Sequence, residues 1–177
     1  MTEKVCLGKS ILPDLSNNII LIGMPGAGKS TIGPMLASKL GLCFEDTDII
    51  VKKSDGRELR DIVAEEGFET FLDIQQKVIM SQKWNGCVIA TGGSVVKSIA
   101  LMQHLQELGR IVYLKLDIHT LEQRLSPDRR LARAGGQTYR QVFEEREPLY
   151  IKYAESIIDC TGKAPDEIVA EICFRDR

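Results

Sequence analysis

The sequence predicts an α/β domain built on a parallel sheet with helices on both faces. Short, nearly continuous apolar runs recur along the chain at 18–23 (NIILIG), 87–91 (CVIAT) and 110–116 (RIVYLKL), with helical periodicity between them. Strands this apolar are buried on both sides, as in a parallel sheet. A glycine-rich stretch, 23–30, stands where the first of these strands hands over to a helix. The chain has 177 residues, which suits one domain with a substantial core.

Taken in order, 18–23 reads as a buried strand and 29–40 as an amphipathic helix. CFEDTD (43–48) reads as the end of a second strand, followed by helical segments at 48–53, 57–66 and 68–84. A third strand at 87–91 leads to a helix at 99–108, and a fourth at 110–116 to a helix from 119 to about 124. A helix over 137–153, a short strand SIID (156–159) and a final helix from Pro165 close the chain. Only SPDRRLARAGGQ (126–137) lacks apolar periodicity, and it reads as a charged loop. There are no internal repeats and no low-complexity tract.

A net charge of −2 with 27% charged residues gives no basic surface for nucleic acid. No apolar run approaches the roughly 20 residues of a membrane span, and the first 18 residues lack a secretory apolar core. Five cysteines, an odd number without CxxC spacing, predict reduced thiols rather than disulfides or a zinc site. A cytoplasmic protein, without nucleic-acid or membrane partners, is expected.

The stretch Gly23-Met-Pro-Gly-Ala-Gly28-Lys29-Ser30 satisfies the pattern of a phosphate-binding P-loop, in the strand-to-helix setting that this chemistry needs. Its glycines let successive N–H groups turn inward around phosphate oxygens, and the helix N-terminus adds its dipole. Lys29, expected to face solvent, would reach the β- and γ-phosphates, and the Ser30 hydroxyl would hold Mg²⁺. The chain has no NKxD for reading guanine, and RAGGQ (133–137) only faintly echoes a transporter-ATPase signature.

Other stretches supply candidate partners. Asp46 and Asp48, two apart at a strand end, lie where sheet ligands bind, one for the metal and one to orient or deprotonate an acceptor hydroxyl. TGGS (91–94) follows a strand, so Gly92 and Gly93 would expose backbone N–H groups to a substrate. Arg124, Arg129, Arg130 and Arg133 crowd a loop that would neutralise transferring phosphate as a lid. EREPLY (145–150) carries Arg146 within a helix.

In this order, P-loop, DTD, TGG, arginine-rich loop, R-x-P-L-Y and IIDCTGKAP resemble the shikimate kinase family from about residue 18 to 172. The resemblance implies a three-layer P-loop kinase fold with a five-stranded parallel sheet. It also implies a helical substrate-binding region at about 48–84 and a lid at about 125–137. It implies a monomer that uses ATP with Mg²⁺. Gly26, Ala27, Gly28, Lys29, Ser30 and Thr31 would bind the ATP phosphates, with Ser30 and Asp46 around the ion. Asp48, Gly92, Gly93 and Arg146 would hold the acceptor. Arg129 would be the lid arginine on ATP, and Lys163 and Pro165 would flank adenine. Lys29, Asp48 and Arg129 would carry catalysis.

The chain departs from that family at two places. The family's FRxxE, whose arginine pairs with the shikimate carboxylate, is here Phe71-Leu72-Asp73-Ile74-Gln75, and the third glycine of GGG is Ser94. Arg57, Arg60 and Lys97 are the candidates to replace the missing arginine. The expectation is a shikimate kinase with a modified carboxylate site. The alternatives are a same-fold kinase for another hydroxylated metabolite and a nucleotide-binding regulator without catalysis.

Overall fold

The computed structural model describes residues 18–124, 133 and 135–174. At its centre is β1 (Asn18–Ile22), whose five residues are all buried. Burying side chains such as Ile20 and Leu21 contributes roughly 1.5–3 kcal/mol each. Around it runs a wholly parallel sheet in the order β2-β3-β1-β4-β5, with β2 at Cys43–Asp46, β3 at Cys87–Ala90, β4 at Gly109–Lys115 and β5 at Ser156–Asp159. Asn18, a polar residue 2% exposed, closes the bottom of the sheet. Its amide donates to the carbonyls of Leu108 (2.9 Å) and Trp84 (3.1 Å) and accepts from the Cys87 N–H (3.0 Å).

Chain direction fixes where a ligand can bind. From β1, α1 (Lys29–Leu40) leads outward to the edge strand β2, whereas α5 (Ile99–Leu108) carries β3 across to β4 on the other side. Right-handed crossovers in opposite directions put these helices on opposite faces, which opens a crevice beyond the C-terminal ends of the central strands. α8 (Pro165–Phe174) packs beside α1, and α7 (Tyr139–Tyr153) packs on β4 and on a 3₁₀ turn at Val95–Lys97. Between β2 and β3 lie α2 (Thr47–Asp55), α3 (Leu59–Glu66) and α4 (Phe68–Met80), packed on one another. The remaining helix is α6 (Ile118–Arg124).

The predicted elements are all present, with boundaries shifted by up to a few residues, several of them by caps. β2 stops at Asp46 because that side chain accepts from the Asp48 N–H and turns the strand into α2. α7 starts at Tyr139, two residues later than the pattern suggests, because Thr138 and Gln141 form a reciprocal capping box. α4 ends at Met80 rather than 84, since the chain must turn so that the Trp84 carbonyl can reach Asn18. No helix among the described residues is long and apolar enough to cross a membrane.

The cysteine expectation is overturned. Cys43 and Cys87 are register partners on β2 and β3, with Cα atoms 4.4 Å apart, and form a disulfide. Spacing along the chain does not reveal this, because pairing two parallel strands aligns residues 44 apart. Cys160 is a buried thiol outside that cross-link, and burial pushes it up to about 12. Closing a loop of 44 residues restricts the unfolded chain by about 4 kcal/mol at most in the chain-entropy model. Urea melts with and without reductant should differ by up to that amount, while the reduced protein stays folded below the transition. Coincident melts would show that the cross-link adds nothing.

Candidate active site

The loop leaving β1 becomes a helix start at Gly28, whose φ of 100° lies in the left-handed region that glycine adopts without strain. Pro25, Gly26, Gly28, Lys29, Ser30 and Thr31 line a cavity of about 210 Å³. Its opposite walls are Asp46, Asp48, Thr91, Gly93 and Arg124. Ala27 does not line it; it is buried, and its N–H donates to the Met24 carbonyl at 3.0 Å.

Lys29 is not a solvent-facing loop residue, as its place in the glycine-rich stretch suggests. It is the first residue of α1 and 7% exposed, with Nζ donating to the carbonyls of Gly23 (2.6 Å) and Met24 (3.0 Å). Those carbonyls hold the ammonium across the mouth of the loop, so its position is set before a ligand arrives.

The three residues at the turn from β2 into α2 each take a separate task. Asp46 uses one carboxylate oxygen to cap the Asp48 N–H (3.0 Å) and the other to accept from the Ser30 hydroxyl (2.8 Å). Thr47 is fully buried and accepts the Gly92 N–H on Oγ1 at 3.0 Å. Asp48 then faces the cavity. A hydroxyl and a carboxylate in contact beside a phosphate loop are a hard-oxygen donor set suited to Mg²⁺. The described residues contain no group of three or more His, Cys, Asp or Glu that could hold a metal. Such an ion would therefore be completed by water and phosphate oxygens.

Gly92 serves a different purpose from the one the sequence suggests. Its N–H is already given to Thr47. A Cβ at this position would lie 2.3 Å from Asp48 Oδ1 and 2.8 Å from Gln75 Nε2, so only glycine lets both side chains come this close to the backbone here. Gly93 does line the cavity.

Arg146 is 1% exposed, and its guanidinium carbon lies 5.9 Å from the centroid of the Phe68 ring on α4. On the same face of α7, Tyr150 donates to the Gly93 carbonyl (2.6 Å) and Tyr139 to the Pro25 carbonyl (2.6 Å). Burial pushes the Tyr150 hydroxyl well above its ordinary pKa, so it remains a donor. Sequence reasoning missed these tyrosines and Thr47. The signal was present as Tyr139, Val142, Arg146, Tyr150 and Tyr153, one buried helical stripe that contains the arginine.

None of the basic residues considered for the missing arginine lines the cavity. Arg57 is engaged by Asp55 (2.6 Å), Glu66 (2.6 Å) and Glu65 (2.9 Å), and Lys97 is paired with Glu145. Arg60 is exposed and lies 3.6 Å from Asp61. Leu72 is half-buried on α4. Lys163, in the turn before α8, is bonded to Glu171 at 2.5 Å, which raises its pKa; neither it nor Pro165 lines the cavity. Arg129 and Arg130 lie outside the described residues.

Comparison with known proteins matches this architecture to one family. Residues 25–175 match the family model for shikimate kinase. The shikimate kinase of Persephonella marina is 34% identical over 165 residues, covering 90% of this chain and 99% of that protein. The shikimate kinase of Azobacteroides pseudotrichonymphae is 40% identical over 137 residues, 76% of each chain. Among solved structures, shikimate kinase from Acinetobacter baumannii in complex with shikimate superposes with a TM-score of 0.76 at 29% identity, covering 89% of this chain and 91% of that one. That of Aquifex aeolicus gives 0.75 at 28% identity, covering 89% and 94%. A parallel five-stranded sheet, a P-loop answered by Ser30 and Asp46, and similarity over almost the whole chain lead to one conclusion: the chain belongs to the shikimate kinase family.

Proposed function

We propose that this protein transfers the γ-phosphoryl group of ATP to a hydroxyl of a small molecule, with shikimate as the acceptor. The observation that carries the reading is the contact of Ser30 with Asp46 at the P-loop, which brings Asp48 to the wall of the same cavity. Phosphate oxygens fit the N–H groups of Gly26, Gly28, Lys29 and Ser30 at the start of α1, where the helix dipole favours negative charge. Lys29 then meets the terminal phosphates from the position its carbonyl contacts give it. Mg²⁺, when bound at Ser30 and Asp46, supplies charge neutralisation for the phosphates.

Asp48 orients the acceptor hydroxyl and takes its proton as the oxygen attacks phosphorus in line. The buried Arg146, by its place in the family motif, meets the acceptor carboxylate as a charge-assisted pair. By its place in the family motif, Arg129 completes charge neutralisation from the lid, and Lys163 and Pro165 flank adenine. In this reading the protein works as a monomer in the cytoplasm, where ATP is supplied. A second reading, another hydroxylated acceptor, is favoured by one observation. Leu72 and Gln75 put an apolar group and a neutral amide where the family motif has arginine and glutamate. ADP release measured with shikimate and with a panel of other small polyols separates the two, and no acceptor-dependent release with any of them rejects the kinase reading.

Lys29→Met keeps the buried stem and removes the charge. It should lower kcat by roughly a hundredfold or more, as loss of one transition-state donor does, with little change in melting temperature. Near-normal turnover would show that the cavity is not a phosphate cradle.

Asp48→Asn should lower kcat by about 10²- to 10⁴-fold, the usual contribution of a general base, and leave the KM for ATP nearly unchanged. An equal loss of ATP binding would move Asp48 to the metal site beside Asp46.

A further inference from the structure

Gln75 is a buried polar residue that the proposed reaction does not use. It lies on the inner face of α4 at 1% exposure, among Phe71 and Ile79, where an amide is costly to bury unless its groups are satisfied. Its Oε1 accepts from the Ser94 hydroxyl at 3.0 Å. Its Nε2 finds no hydrogen-bond partner among the described residues. That amino group and Asp48 Oδ1 both press on one point above the Gly92 Cα, 2.8 and 2.3 Å from it. The amide is held this way round because the reverse would set two acceptor oxygens, Gln75 Oε1 and Asp48 Oδ1, side by side.

We infer that Gln75 is a positioning residue for Asp48: anchored by Ser94, its amino group lies across Gly92 from the aspartate and, by its bulk and its N–H dipoles, limits the rotamers that side chain adopts. The inference rests on the reading of Asp48 as the residue that holds the acceptor hydroxyl. It also accounts for the joint departure of three positions from the family pattern. Leu72 and Gln75 are three apart on α4 and therefore neighbours on its surface. With leucine at 72, a carboxylate at 75 would be buried near Asp48 without the arginine that the family motif places one turn away, and like-charge repulsion makes that costly. The neutral amide avoids this, and Ser94 supplies the hydroxyl that its oxygen needs. A glycine at position 94 would offer no such donor. Gln75 and Ser94 thus form a hydrogen-bonded, uncharged pair, and Leu72, one turn away on α4, adds no charge to it.

The test uses the whole protein with MgATP and whichever acceptor supports turnover. Gln75→Met preserves length and removes the amide. It should lower kcat about tenfold or more, the scale expected when a reacting group is displaced by a fraction of an ångström, with the KM for ATP and the melting temperature little changed. Gln75→Glu should be lower still, and Leu72→Arg/Gln75→Glu should recover most of that loss, because the arginine neutralises the new carboxylate one helical turn away. Crystals of wild type and Gln75→Met should show the Asp48 side chain in different torsions over an unmoved Gly92. Wild-type kcat in Gln75→Met together with an unmoved Asp48 overturns the inference. So does a double variant no better than Gln75→Glu alone. A wild type inactive with every acceptor but with a shifted Asp48 in Gln75→Met overturns the kinase reading and keeps the positioning role.

Discussion

Everything at the mouth of this sheet hangs on the Asp46 carboxylate. It sits at the last residue of an edge strand and answers two groups at once, the Asp48 N–H with one oxygen and the Ser30 hydroxyl with the other. The first contact converts strand to helix and so aims α2. The second joins that turn to the phosphate loop of a strand two places away in the sheet. A carboxylate satisfied on both oxygens has little rotamer freedom left. The distance between the phosphate end and the acceptor end of the cavity is consequently fixed by one side chain.

The cations around the site are arranged under a second constraint, the cost of dehydrating charge. Lys29 and Arg146 are almost wholly buried, and taking a bare cation out of water costs several kcal/mol. Carbonyl oxygens of Gly23 and Met24 offset part of this for the lysine, and the face of Phe68 does so for the arginine. Both cations are therefore ordered in advance of ligand. The tyrosines of α7 add rigidity by tying Pro25 and Gly93 to one helix.

What was legible in the sequence is what depends on neighbours along the chain. The alternation of apolar strands and helices, the glycine-rich turn after β1 and the Asp-Thr-Asp capping turn are local, and the structure repeats them with shifts of a few residues at the ends. What was not legible depends on which strands lie side by side. Cys43 meets Cys87 only through the β2–β3 register. Thr47 acts on Gly92 from 45 residues away, and Gln75 meets Ser94 because α4 folds back over the β3 exit. Lys29 was misplaced because a glycine-rich pattern shows freedom of the backbone but not that the lysine's own loop carbonyls would claim the ammonium.

The separation between strand ends and α4 has a consequence for how such a protein can change over time. The P-loop and the Asp-Thr-Asp turn follow directly from β1 and β2, whereas Leu72 and Gln75 belong to a helical insertion and Ser94 to a turn beyond β3. Substitutions at those three positions leave β1, β2 and the loops that leave them in place. Selection can therefore redirect what receives the phosphoryl group in small, mutually dependent steps while the nucleotide half of the enzyme is inherited intact.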